Sequence, residues 1–288
     1  MSDGGVFQFP VGDVICIAID DGGYDYQPEA FAFGPHEQAF VAATGQRGAE
    51  NSPIHTPYTC LVVRTPQHLV LIDAGAGWDP GNGKLPARLR AAGIDLAAVD
   101  VVILTHGHSD HIGAATGQDG QPTFPNARYV MSTAEWTFWN AEHPDLNHTP
   151  REFAGLLTWF AHQKLRPIEP QLDLVDGETE VVPGVTVLPV PGHTPGQLAV
   201  LVRSHGEQLL VIADAFTHPL HVPHPEWTAN VDLDPAQTVR TRQALLERAS
   251  SANALVQAFH FPFPGLGRVR RAPEGWTWAP EATHGGPA

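Results

Sequence analysis

The sequence predicts a layered α/β fold with helices outside stacked β-sheets, and three observations support this prediction. Short apolar runs bounded by turn residues alternate with longer amphipathic stretches, in the order strands, helix, strand, helices, strands, helix and strand. Several strand-like runs are separated by only a few residues, which is typical of β-hairpins. No short internal repeat, low-complexity segment or linker divides the 288 residues. Mixed helices and strands packed in layers therefore predict a single domain over residues 1–288.

The N-terminal half is expected to consist mainly of strands. Residues 84–92 are the exception, and they are expected to form a helix that ends at Gly93, because glycine is favoured just after a helix. The strand-like runs are short, apolar and bounded by turn residues. They cover residues 14–18, 58–64, 68–73 and 100–105.

Two helices are expected in the middle of the chain. Residues 132–142 begin with Ser132 and carry Glu135 three positions later. This spacing is typical of a capping box, in which each side chain binds the backbone N–H of the other residue. Residues 151–165 have the apolar spacing of an amphipathic helix.

Strands dominate the C-terminal half. A helix over residues 234–250 interrupts them, and it begins with Asp-Pro, an N-cap followed by proline at the first helical position. A last strand over residues 254–260 precedes a turn-rich stretch. The strands before the helix cover residues 172–176, 179–182, 185–190, 197–203 and 208–214.

Two segments have no assigned structure. Residues 20–57 contain Gly, Pro and Gln without a clear period, and we interpret them as an insertion that caps a site or contacts a second copy of the chain in a homodimer. Residues 272–288 are rich in Pro and Gly and are expected to fray.

Composition and charge exclude several classes of protein. Hydrophobic residues make up 42% and charged residues 16%, which is an ordinary globular composition. A net charge of −15 repels phosphates and argues against a nucleic-acid partner and against a nuclease. The sequence lacks an apolar run of about 18 residues and a signal-like N-terminus, so we expect no membrane partner and a cytoplasmic location. The two cysteines lie in strand-like runs, and we interpret them as buried thiols.

The motif THGHSDHIG follows the apolar run at residues 101–104. Residues two apart in an extended segment point the same way, so His106 and His108 can reach one metal ion together. Asp110 and His111, at the first turn of a following helix, can aim at a second point nearby. Imidazole and carboxylate groups suit zinc and neighbouring first-row metals, so this motif predicts a metal site.

Three further strand ends carry residues of the same type. His193 lies in PGHTPG after one predicted strand, Asp214 ends the next, and His260 ends the last. A lone residue of this kind is usually an ordinary polar or turn residue. Four strand ends that all supply such residues predict that the side chains converge, because active sites of layered α/β folds are built there.

These residues, together with Asp73 in LIDAGAG, resemble the pattern of metallo-β-lactamase-fold hydrolases over roughly residues 58–265. The stretches LIDAGAG, FPNARYVMSTAEWTFW and HFPFPGLG narrow the resemblance to the methyl parathion hydrolase and lactonase branch. The resemblance implies a four-layer αββα sandwich with a dinuclear metal site at one edge. Zinc is the expected ion, with iron, manganese and cobalt as alternatives.

The resemblance also assigns roles to the side chains. Asp214 would bridge the two ions, and Asp73 would orient a ligand or a loop without touching metal, unless it is a simple turn carboxylate before Gly75. The first ion would be bound by His106, His108 and His193, and the second by Asp110, His111 and His260.

Two ions about 3.5–4 Å apart share a water and lower its pKa, so that a bridging hydroxide becomes the nucleophile. We see no G-x-S-x-G elbow for a covalent route, and Asp110 is expected to carry a proton to the leaving group. Asp214, in place of a cysteine, favours the esterase, lactonase, phosphotriesterase and thioesterase branches over zinc β-lactamases. Thr217 stands where related quorum-quenching lactonases tend to have tyrosine, which leaves open whether acyl-homoserine lactones are substrates.

The leading prediction is a hydrolase that cleaves a lactone or carboxylic ester, with side activity on organophosphate triesters. Phe216 and Trp227 are candidate pocket walls, and they suggest a small neutral or hydrophobic substrate. One alternative is a glyoxalase II-like thioesterase, for which the arginines at positions 268, 270 and 271 would be the basic cluster. Another is a di-iron redox or oxygen-binding protein, which would need a flavin partner domain.

Overall fold

The computed structural model describes residues 4–44, 52–77, 82–146, 149 and 151–281, with side chains throughout except at residues 151–153. Two seven-stranded β-sheets form the centre of the described chain. Among these residues, no helix has both the length and the apolar character needed to cross a membrane.

The first sheet contains the N-terminal strands side by side in chain order. They are β1 (Val6–Val11), β2 (Val14–Tyr26), β3 (Ile54–Arg64), β4 (Leu69–Ile72), β5 (Val101–Ile103), β6 (Arg128–Ser132) and β7 (Leu172–Val175). Neighbours from β1 to β4 are antiparallel, whereas those from β4 to β7 are parallel. The parallel strands therefore end at the same edge of the sheet, where α/β folds commonly place their sites.

The second sheet contains the C-terminal strands, also in sequence order. They are β8 (Thr179–Val182), β9 (Val185–Pro189), β10 (Leu198–Ser204), β11 (Glu207–Val211), β12 (Leu255–Gln257), β13 (Leu266–Ala272) and β14 (Gly275–Pro280). β11 and β12 are parallel, and the other neighbours are antiparallel.

The α-helices lie outside the two sheets or in the loops between strands. They are α1 (Glu37–Ala43), α2 (Leu85–Ala91), α3 (Ser109–Ile112), α4 (Thr133–Asn140), α5 (Arg151–Leu165) and α6 (Pro235–Ser251). α6 begins as its sequence predicts, because the Asp234 side chain accepts a hydrogen bond from the Gln237 backbone N–H.

Three apolar layers hold the elements together. Valines and isoleucines of both sheets, such as Val70, Ile103 and Val200, form the layer between the sheets. Leu89 of α2 and Trp139 of α4 belong to the layer over the first sheet. The layer over the second sheet contains α6 residues. The result is the predicted αββα sandwich, because each sheet buries one face on the other and one face under helices.

The two ends of the segment at residues 20–57 belong to the paired strands β2 and β3. β2 continues to Tyr26 and β3 starts at Ile54, with a register shift between Asp20 and Gly22. The chain between these strands contains α1 and packs Phe31 and Phe40 against Trp227, which comes from the other half of the sequence. Gly22 and Gly23 interrupt the apolar alternation, which explains why the sequence pattern does not reveal this strand.

The expectation that residues 272–288 fray is wrong for residues 275–280. These form β14, which pairs with β13 over its full length. Trp276 is buried and lies beneath the guanidinium of Arg271, 4.1 Å from its ring centre. The two tryptophans of this short stretch, Trp276 and Trp278, pack on the core layer of the second sheet. Residues 282–288 lie outside the described residues.

Candidate metal centre

The seven predicted ligands come together at one edge of the sandwich. The first sheet supplies its ligands from the loop after β5 and from α3. The second sheet supplies one ligand after each of β9, β11 and β12. The side chains form two groups, one of His106, His108, His193 and Asp214 and the other of Asp110, His111 and His260.

The first cluster contains His106, His108, His193 and Asp214. The Nδ1 atom of His108 lies 3.1 Å from Nε2 of His106 and 3.0 Å from Nε2 of His193. Nitrogens bound to one tetrahedral ion at about 2.05 Å would be about 3.3 Å apart, which is close to the observed spacing. Asp214 completes the group, with Oδ2 3.5 Å from His193 Nε2.

The second cluster contains Asp110, His111 and His260. The Oδ2 atom of Asp110 lies 3.5 Å from Nε2 of His260 and 3.9 Å from Nε2 of His111. Asp214 also reaches this cluster, because its Oδ1 is 3.2 Å from His111 Nε2 and its Oδ2 is 3.1 Å from His260 Nε2. One carboxylate therefore lies within reach of both clusters.

Two buried atoms at the centre test whether metal ions fit. Among the described residues, His111 Nε2 and Asp214 Oδ1 lie 3.2 Å from each other, but neither atom makes a well-aligned hydrogen bond to this or any other partner. A buried polar atom without a partner is unfavourable by about 1–3 kcal/mol, so its retention calls for an explanation. Both atoms face the space between the clusters, and both are ordinary metal-ligand atoms. The residues therefore fit a pair of divalent ions.

In three of the ligand histidines, an outer hydrogen bond to Nδ1 leaves Nε2 for a metal. Nδ1 of His111 contacts Asp73 Oδ2 at 2.8 Å, and Nδ1 of His193 contacts Asp232 Oδ1 at 2.9 Å. His260 uses its Nδ1 on the backbone carbonyl of Pro57, at 3.2 Å. Such partners fix the orientation and tautomer of a ligating imidazole, so that Nε2 faces the ion.

Asp73 occupies a strained position in the loop after β4. Its φ angle is 61°, in the left-handed region that non-glycine residues rarely adopt. The strain coincides with a dense set of contacts, because its Oδ1 accepts from the Thr105 N–H and its Oδ2 from the Thr105 hydroxyl. Asp73 therefore orients His111 and the loop after β5, which matches the first of the two roles considered for it.

Asp232 is a site residue that sequence reasoning missed. It is buried, orients His193 and also faces the buried guanidinium of Arg242, with Oδ2 3.6 Å from its Nη2. Asp232 lies in an irregular stretch before α6, where a lone aspartate resembles any other turn former. The sequence contains no signal that would have singled it out.

Glu135 is the second missed residue, and it links the two histidine loops. Its Oε1 accepts from the Gly107 N–H at 2.8 Å, and its Oε2 accepts from the Gly196 N–H at 2.9 Å. The Ser132 hydroxyl caps α4 as predicted, by accepting from the Glu135 N–H. The capping box predicts that the Glu135 carboxylate accepts a hydrogen bond from the Ser132 backbone N–H. Instead, the carboxylate holds the loops that carry His108 and His193.

Burial keeps two histidines of the first cluster neutral, whereas the hydrogen bond to Asp232 and the charge of Asp214 outweigh burial and raise the pKa of His193. Burial and the neighbouring imidazoles lower the pKa values of His106 and His108 well below the usual range, so both rings are neutral. Burial alone would also lower the pKa of His111, but the charges of Asp214 and Asp73 hold it well above the usual range. Burial acts to raise the pKa of Asp214, but His260 and His111 hold it well below normal. Neutral imidazoles and an ionised carboxylate are the forms that bind metal.

Two tyrosines lie beside the second cluster, and sequence reasoning missed both. The hydroxyls of Tyr26 and Tyr58 are 2.7 Å apart. Both rings meet the His260 ring edge-on, with centroid distances of 6.5 Å for Tyr26 and 5.5 Å for Tyr58. Burial first and the charge of Asp110 second raise the pKa of each phenol. Both hydroxyls therefore keep their protons.

The candidate wall residues have different positions from those expected. Phe216 is 1% exposed and packs under α6 against Leu245 and Leu246, so its assignment as a pocket wall is wrong. The reason is that the chain turns outward after Asp214 and directs Phe216 into the core. Trp227 is also buried, where it packs on Phe40.

Thr217 and its neighbour His221 are also buried. The Thr217 hydroxyl has no hydrogen-bond partner among the described residues. His221 is fully buried and contacts the Phe31 carbonyl at 2.7 Å.

Comparison with known proteins identifies the family. The sequence profile of the metallo-beta-lactamase superfamily matches residues 55–260. The match covers more than half of the chain and contains all seven predicted ligands. The chain belongs to the metallo-beta-lactamase superfamily.

Two solved structures are similar to this chain over almost its full length. AidC, a dizinc quorum-quenching lactonase solved with a product, is 26% identical with a TM-score of 0.88, over 98% of this chain and 99% of that one. The hydrolase AbOPH of the beta-lactamase superfamily is 26% identical with a TM-score of 0.87, over 99% of this chain and all of that one.

Curated relatives match over a shorter region. The N-acyl homoserine lactonase AttM of Azorhizobium caulinodans is 32% identical over 185 residues, which are 61% of this chain and 63% of the relative. A probable metallo-hydrolase of Mycobacterium tuberculosis is 33% identical over 184 residues, 55% of this chain and 56% of the relative. The chain thus spans less than two thirds of the length of these curated relatives.

Proposed function

We propose that this protein is a dinuclear metallohydrolase that cleaves a lactone or a carboxylic ester. The observation that carries the proposal is the position of Asp214, whose two oxygens lie 3.1–3.5 Å from histidines of both clusters. A carboxylate shared in this way brings two divalent ions close together. Zinc suits the nitrogen-rich ligand set, and iron, manganese and cobalt are the alternatives.

The side chains divide the work of such a reaction. When bound, the two ions supply a water that loses a proton near neutral pH, and they polarise the substrate carbonyl. Asp214 orients both clusters from a buried position, whereas the side chain of Asp110 is 14% exposed. Asp110 carries a proton to the leaving oxygen.

The lactone as substrate is supported by the relatives. AidC is a lactonase by its description, and AttM of Azorhizobium caulinodans is an N-acyl homoserine lactonase. Acyl-homoserine lactones are therefore the first lactones to test, although Thr217 stands where a tyrosine was expected for that activity. We propose a small neutral or hydrophobic substrate, with organophosphate triesters as a side activity.

The thioesterase alternative is less well supported because two of the three arginines in its basic cluster are already paired. Arg271 lies 2.6 Å from Glu247, and Arg268 lies 3.8 Å from Glu281. These carboxylates neutralise the arginines that would hold an anionic thiol carrier.

A substrate panel on metal-analysed protein tests the proposal. The panel contains γ- and δ-lactones, including an acyl-homoserine lactone, aryl esters, a paraoxon-type triester, a β-lactam and a glutathione thioester. We expect turnover of lactones or aryl esters and about two metal ions per chain. Turnover of the thioester alone would replace this proposal with the thioesterase.

The Asp214→Ala variant tests the shared carboxylate. We expect loss of one ion and a fall in kcat/KM of more than about 100-fold, because even outer partners of metal ligands contribute about 10- to 100-fold. Asp173→Ala is the matched control, since Asp173 is a surface residue paired with Arg128 at 3.0 Å. Wild-type rates in the Asp214 variant would contradict the shared-ion mechanism.

A further inference from the structure

The Tyr26–Tyr58 hydroxyl pair lies where the β2–β3 hairpin passes the second cluster. Tyr26 is the last residue of β2, and Tyr58 lies on the neighbouring strand β3. Their hydroxyls form a 2.7 Å hydrogen bond, and both rings contact the ring of His260. Asp110 is the charged side chain with the largest electrostatic effect on both phenols. The pair thus lies next to the cluster formed by Asp110, His111 and His260.

Hydrogen-bond accounting leaves one proton of this pair available. Each phenol carries one O–H donor, and the bond between the two hydroxyls uses only one of them. Tyr58 is 5% exposed, whereas Tyr26 is partly exposed. Either hydroxyl can donate this bond. When the buried Tyr58 donates, the more accessible Tyr26 keeps its own O–H for a further acceptor. Accepting a hydrogen bond also makes Tyr26 a better donor, because chained hydrogen bonds polarise one another.

We infer that Tyr26, held by Tyr58, donates a hydrogen bond to the leaving oxygen of the substrate, an inference that rests on the proposed function. Asp110 is the residue that delivers a proton to that oxygen in the proposed reaction, and it belongs to the same cluster as His260, whose ring the Tyr26 ring contacts. The leaving oxygen of a lactone or alkyl ester becomes an alkoxide, which is a poor leaving group in need of stabilisation. A fixed neutral donor at the developing charge supplies it. Tyr26 is a catalytic residue in this scheme, and Tyr58 is its positioning residue.

The dependence on leaving group separates this role from a structural one. Tyr26→Phe and Tyr58→Phe each remove one hydroxyl and keep the ring. Tyr24→Phe is the matched control, because Tyr24 is on the same strand, touches the Tyr26 ring and is 55% exposed. For each protein, kcat and KM are measured on a γ-lactone, on an alkyl ester and on a p-nitrophenyl ester, after metal analysis.

We expect Tyr26→Phe to lower kcat on the lactone and alkyl ester about 100-fold, the scale of losing one donor to a developing charge. The p-nitrophenyl ester, whose leaving group is stable without help, should change less than about 3-fold. Tyr58→Phe should lower kcat on the lactone about 10-fold, since it loses the polarising partner. Metal content should match the wild type in both variants, and Tyr24→Phe should match it in all measurements.

A binding measurement gives a readout that does not depend on turnover. The ring-opened γ-hydroxy acid contains the leaving oxygen as a hydroxyl, and the corresponding acid without the hydroxyl does not. Calorimetry should show Tyr26→Phe weakening the hydroxy acid about 5- to 10-fold, with no change for the deoxy acid.

Equal losses on all three substrates, or unchanged kcat on the lactone, would overturn the inference about Tyr26. Wild-type protein that hydrolyses lactones or esters would keep the proposed function in that case. Wild-type protein that turns over none of these substrates would overturn the proposed function and the inference together.

Discussion

The two ligand clusters differ in how far their surroundings fix them. In the first, a buried carboxylate orients His193, and Glu135 joins the loops that carry His108 and His193. In the second, His111 has a comparable partner, but His260 contacts a backbone carbonyl at 3.2 Å and Asp110 is partly exposed. Each cluster has one partly exposed ligand, His108 in the first and Asp110 in the second, but carboxylates hold more of the first cluster in place than of the second.

This difference predicts unequal metal affinities. A preorganised ligand set loses less entropy when it binds an ion, so we expect the first cluster to keep its ion at chelator concentrations that strip the second. Three further predictions follow, from the largest expected effect to the smallest. The first two change residues that support the ligand clusters, and the third changes His218, which packs on Phe31 and Phe40.

Asp232→Asn and Asp73→Asn should remove different ions. Each substitution keeps the size of the side chain and removes the charge that orients one histidine, His193 or His111. We expect each to weaken the ion at its own cluster about 10- to 100-fold. Asp232→Asn should also lower the free energy of unfolding by about 3–5 kcal/mol, because it leaves Arg242 buried without a charged partner.

Metal content at graded chelator concentration and chemical unfolding measure these effects. Asp173→Asn, at the exposed pair with Arg128, is the control. Loss of the same ion in both variants would contradict the separate support of the two clusters.

Glu135→Gln should weaken the first cluster alone. Both carboxylate oxygens of Glu135 accept backbone hydrogen bonds, so an amide must leave Gly107 or Gly196 facing another donor. We expect a loss of about 1–3 kcal/mol in the free energy of unfolding and weaker binding of the first ion. Unfolding curves and chelator titration measure both. Glu142→Gln is the control, because the Glu142 side chain is 92% exposed, and it should change neither the stability nor the metal binding. Weaker binding of the second ion in Glu135→Gln would contradict a role of Glu135 confined to the first cluster.

His218 should make the stability of the aromatic packing around Phe31 and Phe40 sensitive to pH. Burial lowers the pKa of His218 from 6.5 to about 4, and its Nδ1 accepts from the Leu220 N–H while its ring packs on Phe31 and Phe40. Because the folded pKa lies below the unfolded one, the stability it contributes is present above pH 6.5 and is lost as the pH falls towards 4. Solvent near the partly exposed ring limits this loss to roughly 2 kcal/mol.

His218→Asn keeps an acceptor for the Leu220 N–H without a titrating group. Its free energy of unfolding should be lower than wild type at pH 7, because ring packing is lost, but should fall less between pH 6.5 and 4.5. Chemical unfolding at several pH values measures the slope. His143→Asn is the control, because His143 is 90% exposed, and an unchanged slope in His218→Asn would refute the assignment.

The sequence was sufficient to predict the sandwich and the gathering of the seven ligands. Apolar runs that end in His or Asp locate strand ends, and strand ends of parallel neighbours meet at one edge. Gly93, with a φ of 75°, and Ser132 end and begin helices as predicted. These features are local, so a pattern of neighbouring residues contains them.

The missed residues act across long separations in the chain. Asp232 lies 39 residues from His193, Glu135 holds an N–H 61 residues away, and the hydroxyls of Tyr26 and Tyr58 meet across a 32-residue separation. Nothing in the neighbouring sequence distinguishes them from other polar or aromatic residues. The prediction that Phe216 lines the pocket was wrong for a related reason, since the direction of a side chain after a strand end depends on the turn that follows.

The ligands of each cluster come from both sheets. His106, His108, Asp110 and His111 follow β5 of the first sheet, whereas His193, Asp214 and His260 follow strands of the second. An ion at either position would thus cross-link the two sheets at one rim of the sandwich. Elsewhere the sheets are joined by the apolar layer between them. Chelation would then lower the melting temperature and loosen that rim first, because the binding energy of the ions is part of the folding energy.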